Sequence, residues 1–158
     1  RMTPEGIDDA DQLLRQLMEG QVAGNKLVRL DAEFVSGPLN SYRVLSERAA
    51  ERARRGGKRR PDAAFAKKAD ELLAFVEQAY AKKSALSPDI KSYAMVVDAY
   101  AKVGEPESAE AVLMRLEKVW KSGNEKVKPN TILYNAVLDA WAKSGSISSF
   151  KNYTKTKR

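Results

Sequence analysis

The stretch that decides the fold is residues 131–145, TILYNAVLDAWAKSG, because residues 90–104, IKSYAMVVDAYAKVG, show the same pattern 41 positions earlier. Seven of the fifteen aligned pairs are identical. In both copies apolar residues are spaced i, i+4 and i+7, as at Tyr93, Val97 and Tyr100, which places them on one stripe of an α-helix. Each copy is therefore predicted to be an amphipathic helix, here called helix A.

Both copies of helix A have end signals in the flanking residues. Asp89 and Asn130 precede them, where a side-chain oxygen can cap free backbone N–H groups, and Gly104 and Gly145 follow, where glycine commonly ends a helix. After Gly104, Pro106 and the acidic residues beside it suit the first turn of another helix. A second helix, helix B, is therefore predicted to follow helix A.

Helix B is predicted three times, because the same apolar spacing recurs along the chain. The last copy has Ala109, Val112, Leu113 and Leu116, the middle copy has Ala69, Leu72, Leu73 and Val76, and the first copy has Ala10, Leu13, Leu14 and Leu17.

A helix A that belongs with the middle helix B is predicted from Leu39 to about Arg55. Tyr42 follows Pro38 there, as a tyrosine follows a proline in the two later copies. The basic run at residues 54–60, RRGGKRR, comes next and is predicted to be a loop within the hairpin.

A hairpin of two helices cannot bury its apolar stripe alone, so successive hairpins are expected to stack. The predicted fold is all-α, an α-solenoid of stacked antiparallel helical hairpins with about three to four repeats, incomplete at both ends. The expected segments are residues 1–37, helix B of a partial first repeat plus an irregular connection; 38–89, a degenerate repeat with a basic insertion; 90–130, a full repeat; 131–145, helix A of a further repeat; and 146–158, a polar basic tail.

Composition excludes several classes of function. The sequence has no cysteine and no histidine, which removes thiol and imidazole chemistry and nearly every zinc site. Asp98 and Asp139 recur at equivalent helix A positions, and separate helices are expected to hold them too far apart for acid–base or shared metal chemistry. The sequence has no Gly-rich phosphate loop and no apolar stretch near the roughly 20 residues that span a bilayer. No enzyme, metal, cofactor, small-molecule substrate or membrane span is predicted.

The charge balance favours a polyanionic partner. The formal net charge is +7, and seven basic residues lie between positions 48 and 60. A solvated, partly disordered segment is the alternative interpretation of such a run. The predicted basic patch consists of Arg52, Arg54, Arg55, Lys58, Arg59 and Arg60.

Residues 128–145, KPNTILYNAVLDAWAKSG, resemble the pentatricopeptide repeat family closely, and residues 87–104 resemble it well. The shared features are a Tyr-Asn start and a Lys-x-Gly end of helix A and a Lys-Pro-Asn close of the preceding unit. The 41-residue spacing exceeds the usual unit of the family and resembles the longer variants found in microalgal members. The resemblance implies sequence-selective binding of single-stranded RNA in a mitochondrion or plastid, although no targeting segment is visible, with roles in RNA processing, stability or translation.

The resemblance also implies which residues contact the bases. In the family, the fifth residue of helix A and the last residue of the repeat read one base, and the second residue of helix A packs against it. Carried over, the expected base-reading residues are Arg43 with Asp89, Ala94 with Asn130, and Asn135, while Ile132 suits base packing and Lys91 a phosphate. Helix capping alone would also explain Asp89 and Asn130.

Two other functions use the same helical hairpins. The chain can be a structural subunit of an organellar ribonucleoprotein, such as a mitochondrial or plastid ribosome, that touches RNA through its basic run. It can also be a protein-binding scaffold of the tetratricopeptide kind. The Pro-Asn-x-x-x-Tyr-Asn spacing from Pro129 to Asn135 is typical of the RNA-binding relatives and disfavours the scaffold.

Overall fold

The computed structural model describes residues 3–24, 32–57, 61–82 and 86–144, and within these ranges it is helical with no strand. The elements in chain order are α1 (Pro4–Val22), α2 (Ala32–Arg55), α3 (Ala64–Ala81), α4 (Ile90–Val103), α5 (Pro106–Lys121), a short 3-10 turn (Glu125–Val127) and α6 (Thr131–Ser144). The predicted all-α class is confirmed.

The helices stack in two layers. α2, α4 and α6 are the A helices, and α4 lies between the other two and contacts both. α1, α3 and α5 are the B helices, and each packs against the A helix that follows it in the chain. One apolar core joins all six helices, from Ile7 in α1 to Trp141 in α6. This arrangement is the predicted α-solenoid of stacked hairpins.

The ends of the later helices follow the predicted signals. The Asp89 side chain accepts a hydrogen bond from the Ser92 backbone N–H at 2.8 Å and caps α4. Gly104 ends α4 with a φ of 73°, a left-handed conformation that costs other L-residues energy. Pro106 then occupies the first turn of α5, where its missing N–H leaves no intrahelical bond unmade.

The long turn after α5 accounts for the 41-residue spacing. Gly123 takes a φ of 105° there, and a 3-10 turn follows in which the Val127 side chain is fully buried. The Asn124 side chain accepts a hydrogen bond from the Lys126 backbone N–H and donates one to Ser87 Oγ. The extra residues therefore form an anchored connection.

The start of α2 differs from the prediction. The helix begins at Ala32 and not at Leu39, so residues 32–37, predicted to be part of an irregular connection, are helical, and Pro38 lies inside the helix. A proline in a helix interior costs about 3 kcal/mol. Burying Val35 and Leu39, each worth about 1.5–3 kcal/mol, offsets that cost, because their spacing puts both into the core.

The apolar stripe of α1 also differs from the prediction. Leu14 is buried as expected, but Leu13 is 57% exposed and Ala10 is exposed. The other buried residues of α1 are Ile7, Asp11 and Met18. α1 contacts α2 and α3 from one side, so the narrower stripe at i, i+4, i+7 and i+11 is the one that the core covers.

Some predicted features lie outside the described residues. These are residues 25–31 of the predicted connection, positions 58–60 of the basic run, Gly145 at the end of the last helix A, and the tail at 146–158. Within the described ranges, no helix is both long and apolar enough to cross a membrane.

Candidate functional site

The three A helices share a common numbering frame, which their first residues define. α2, α4 and α6 begin at Ala32, Ile90 and Thr131. An aromatic residue stands at the eleventh position of each, and its polar atom donates a hydrogen bond to an acidic side chain of the preceding B helix. These bonds join Tyr42 to Asp11, Tyr100 to Asp70, and Trp141 to Glu110, at 3.2, 3.1 and 3.2 Å. The repeated contact supports the frame that the helix starts indicate.

A second contact repeats at the fourth position of the A helices. Tyr93 donates a hydrogen bond to Glu77, and Tyr134 donates one to Glu117. In α2 the fourth residue is Val35, and the α1 residue that corresponds to Glu77 is Met18; both are buried in the core. The polar pair of the later hairpins is thus replaced by two apolar residues, as burial without a hydrogen-bond partner requires. We call the hydrogen bonds at the eleventh and the fourth positions the acid–aromatic pairs.

This frame corrects the assignment of Arg43. The prediction counted from Leu39 and made Arg43 the fifth residue of its helix, whereas Arg43 is the twelfth residue of α2. Its guanidinium forms an ion pair with Asp98 of α4 at 3.2 Å and donates to Asn40 Oδ1. The fifth position of α2 belongs to Ser36. Arg43 therefore links two A helices at a level about two turns away from the fifth positions.

The first turns of α6 present their predicted residues to solvent. Asn135, at the fifth position, is exposed, and its side chain makes no hydrogen bond with the described part of the chain. Ile132, at the second position, is 74% exposed. An amide that can donate and accept and a branched apolar side chain therefore lie within one turn of each other on the surface.

The corresponding residues of α4 have different properties. Ala94 is partly buried against the core and has no polar side-chain atom. Lys91 is exposed, and its charge is available to a phosphate. At these positions α4 has a small apolar side chain and a positive charge, whereas α6 has a hydrogen-bonding amide.

Asp89 and Asn130 cap their helices and keep further bonding capacity. Asp89 accepts hydrogen bonds from the Ser92 backbone N–H and hydroxyl on one oxygen, Oδ1. Asn130 Oδ1 accepts a hydrogen bond from the Leu133 backbone N–H at 3.0 Å. The Asp89 Oδ2 and Asn130 Nδ2 atoms make no hydrogen bond within the described ranges. Capping and contact with a ligand are therefore compatible at both residues.

The basic patch is partly helical, contrary to the predicted loop. Arg52, Arg54 and Arg55 lie in the last turns of α2, and all three are exposed. Arg48 lies one turn earlier on the same surface as Arg52. Lys58, Arg59 and Arg60, predicted to continue the patch, lie outside the described residues.

Arg115 is a half-buried charged residue that sequence reasoning missed. It projects from α5 to α3, where it forms ion pairs with Asp70 and Glu77, the acceptors of Tyr100 and Tyr93. Burial alone would lower the pKa of Arg115, but the hydrogen bond and charge of Asp70, together with Glu77, raise it. Acids seven residues apart on α3 match aromatics seven apart on α4, but no local pattern in the sequence links Arg115 to them.

The two recurring aspartates are engaged in ion pairs. Asp98 pairs with Arg43, and Asp139 pairs with Lys143 one turn along α6. Within the described ranges no group of three acidic side chains is placed to hold a metal ion. Both aspartates thus have a structural explanation.

Comparison with known families identifies the later part of the chain. The pentatricopeptide repeat domain matches residues 78–144 and confirms the resemblance over the stretch that contains α4, α5 and α6. Proteins of this family generally bind RNA and are generally not enzymes. No curated protein matches the chain significantly.

Proposed function

Because residues 78–144 match the pentatricopeptide repeat domain, which suggests an RNA-binding function of that type, we propose that the chain binds single-stranded RNA along its A helices. The proposal includes a role in RNA processing, stability or translation in a mitochondrion or plastid. The RNA strand passes the first turns of α2, α4 and α6 in succession, and each A helix contacts one base.

The observation that carries this proposal is the exposed pair of Asn135 and Ile132 at the start of α6. Asn is a poor helix former, so an exposed Asn inside a helix costs stability that a contact with a ligand would explain. A branched apolar side chain that is 74% exposed can pack against the face of a base. Together they supply the stacking and edge contacts that single-stranded RNA recognition uses.

The corrected frame changes the residues proposed to contact the first base. Ser36 replaces Arg43 at the fifth position of α2, and its partner at the end of the unit remains Asp89. The pair Ala94 and Asn130 relies on the amide of Asn130 alone. Base selectivity is therefore expected to be strongest at α6, where the Asn135 amide is exposed.

About three bases are contacted in this way, and each good contact discriminates by roughly 1–3 kcal/mol, by analogy with DNA. Such a short site recurs often in any pool of RNA. Specific action in the cell therefore needs further repeats or partner proteins. This need favours a second candidate function, that of a structural subunit of an organellar ribonucleoprotein such as a ribosome, which the exposed arginines of α2 support.

Asn135→Ala tests base reading directly. The full chain is titrated with short unstructured RNAs that differ at one position, and affinity is followed by fluorescence anisotropy. We expect the variant to lose about tenfold discrimination at one position, corresponding to one base contact, with an unchanged dependence on salt because no charge is removed. Alanine favours the helix, so folding is preserved.

Leu138→Ala is the matched control, since Leu138 is an exposed residue of the same helix. This control is expected to keep the base preference of the wild type. Base preferences that are identical in the wild type and Asn135→Ala would contradict base reading. Absence of RNA binding, with capture of an apolar peptide instead, would favour the protein-binding scaffold.

A further inference from the structure

The C-terminal part of α2 has no counterpart in the other A helices. α2 has 24 residues, whereas α4 and α6 each have 14. In the common frame, Val103, the last residue of α4, corresponds to Leu45. Residues 46–55 therefore extend α2 by about 15 Å at 1.5 Å per residue. We call these residues the α2 extension.

The α2 extension has two opposite faces. Ser46, Ala50 and Ala53 are buried and form one stripe at i, i+4 and i+7. Arg48, Arg52 and Arg55 repeat this spacing two residues later, which places them on the opposite side of the helix, and all three are exposed. Together with Glu51 they line a shallow groove on the surface.

These arginines differ from the other described arginines in having no ion-pair partner. Arg15, Arg43 and Arg115 each form an ion pair with a carboxylate. Among the described residues, no carboxylate lies within ion-pair distance of Arg48, Arg52, Arg54 or Arg55. Like charges one helical turn apart destabilise a helix by a few tenths of a kcal/mol. The cluster is therefore available to an anionic ligand.

The composition of the α2 extension identifies the chemistry of that ligand. Its cations are all arginines, whose planar guanidinium matches the oxygens of a phosphate in a bidentate manner. Residues 46–57 include no aromatic side chain on which an unpaired base could stack. They also include no large apolar side chain that could enter a membrane surface. Phosphates of base-paired RNA, which proteins recognise through backbone and shape, fit these features best.

The position of the α2 extension separates it from the base-contacting residues. Arg48 and Arg55 lie 12 and 19 residues beyond Ser36, or about 18 and 28 Å along the helix axis. An arginine side chain is too short to bridge that distance. A strand that passes the first turns of the A helices therefore leaves the arginines free for another segment of RNA.

We propose that Arg48, Arg52 and Arg55 form a second RNA-binding surface, which holds the phosphate backbone of a double-stranded segment independently of its sequence. This inference rests on RNA being the ligand, as proposed above. The chain then binds a junction: an unpaired segment lies on the first turns of the A helices, and an adjoining stem lies on the α2 extension.

The test uses the full chain and three RNAs: an unstructured strand, the same strand joined to a hairpin stem, and the stem alone. The variant is Arg48→Gln/Arg52→Gln/Arg55→Gln, since glutamine keeps helix propensity and removes the charge. The matched control is Lys67→Gln/Lys118→Gln/Lys126→Gln, which removes three exposed charges elsewhere. Circular dichroism of each protein establishes that it is folded.

We expect the wild type to bind the joined RNA at least about tenfold more tightly than the unstructured strand. The arginine variant loses this advantage. Its slope of log affinity against log salt for the joined RNA falls by about 2–3, because each phosphate that the protein neutralises adds about 0.9 to that slope. Its affinity for the unstructured strand changes less than about twofold, since the remaining RNA-binding residues are intact. The lysine control keeps the advantage of the joined RNA.

The inference fails if the arginine variant binds the joined RNA as the wild type does, or if the lysine control loses as much affinity. It also fails if a glutamate-rich polypeptide competes as well as the stem does. An arginine-dependent affinity for the stem without any for the unstructured strand upholds the second surface and overturns base reading. Base selectivity that depends on Asn135, with no effect of the arginine substitutions, upholds base reading and overturns the second surface.

Discussion

The region of α2 and the region of α4 to α6 solve the same packing problem with different residues. α4 and α6 are 14-residue helices with side-chain caps, and both place a tyrosine at the fourth position. α2 has a proline at its seventh position, a valine at its fourth, and ten additional residues at its end. Yet Val35, Leu39 and Tyr42 are as deeply buried as Tyr93, Val97 and Tyr100.

This difference teaches that positions in the stack are fixed more strictly than residue types. The eleventh residue of every A helix forms an acid–aromatic pair, while the fourth position is either hydrogen-bonded or apolar together with its counterpart. A buried polar residue without a partner would cost about 1–3 kcal/mol, so both partners have to change together. A degenerate repeat can therefore keep its geometry after losing its motif.

Alkaline pH is expected to have the largest effect on the free energy of unfolding. The size of that effect depends on the number of buried tyrosines in each region. Burial and the hydrogen bond to Glu77 raise the pKa of Tyr93, burial and the charge of Asp70 raise that of Tyr100, and burial and the charge of Asp11 raise that of Tyr42. The fold thus favours the neutral phenols, whereas the unfolded chain ionises near pH 10. Stability is retained below pH 10 and falls above it, by about 1.4 kcal/mol per pH unit for each tyrosine.

Urea unfolding at pH 9, 10 and 11, followed by circular dichroism, measures this slope. Tyr93→Phe/Tyr100→Phe removes the contribution of two tyrosines, and Tyr42→Phe removes that of one, while lysine titration contributes equally to every variant. If Tyr42→Phe leaves the fall of stability with rising pH unchanged, Tyr42 of α2 does not correspond to the tyrosines of α4.

Leu39→Ala tests whether the α2 region belongs to the same cooperative unit as the later hairpins. Leu39 is fully buried, and truncating such a leucine is expected to cost about 3 kcal/mol. Leu133→Ala in α6 is the matched variant with nearly the same burial. We expect both to shift one common urea transition when fluorescence and circular dichroism are compared. Separate transitions for Leu39→Ala would show that the regions unfold independently.

Pro38→Ala gives the smallest effect and has the opposite sign. Removing a proline from the helix interior restores a backbone N–H and relieves the clash with the preceding turn. The unfolded chain gains entropy, which opposes this by about 0.4–1 kcal/mol. A net gain of about 2 kcal/mol in the free energy of unfolding is expected from urea titration. A loss would show that Pro38 is accommodated by a local distortion of α2.

The sequence predicts α4, α5 and α6 well because local signals at their ends agree with the apolar periodicity. Asp89, Gly104 and Pro106 each act within a few residues of the boundary that they mark. The start of α2 was missed because Ser36, Gly37 and Pro38 together resemble a turn. The spacing of Val35, Leu39 and Tyr42 is that of one helical face and predicts the correct helix. The turn-like residues between Val35 and Leu39 indicate a break there instead.

The candidate site was only partly predictable for a similar reason. Asn135 and Ile132 follow from a motif in a helix whose start is clear, whereas Arg43 was placed by counting from a wrong start. Its ion pair with Asp98 joins residues 55 positions apart, and no local pattern reveals such a pair. Arg115 illustrates the same limit, since its two carboxylates lie on another helix.

The acid–aromatic pairs also bear on which stretch of chain can be exchanged with its side-chain hydrogen bonds intact. The sequence repeats from one helix A to the next, so residues 90–130 look like the natural module. Each pair, however, joins a B helix to the A helix that follows it, as Glu117 joins Tyr134. Recombination at Thr131 would separate these partners, whereas recombination at the turn after Gly104 keeps them together. By these hydrogen bonds the unit of the array is a B helix followed by an A helix, offset by half a repeat from the unit that alignment displays.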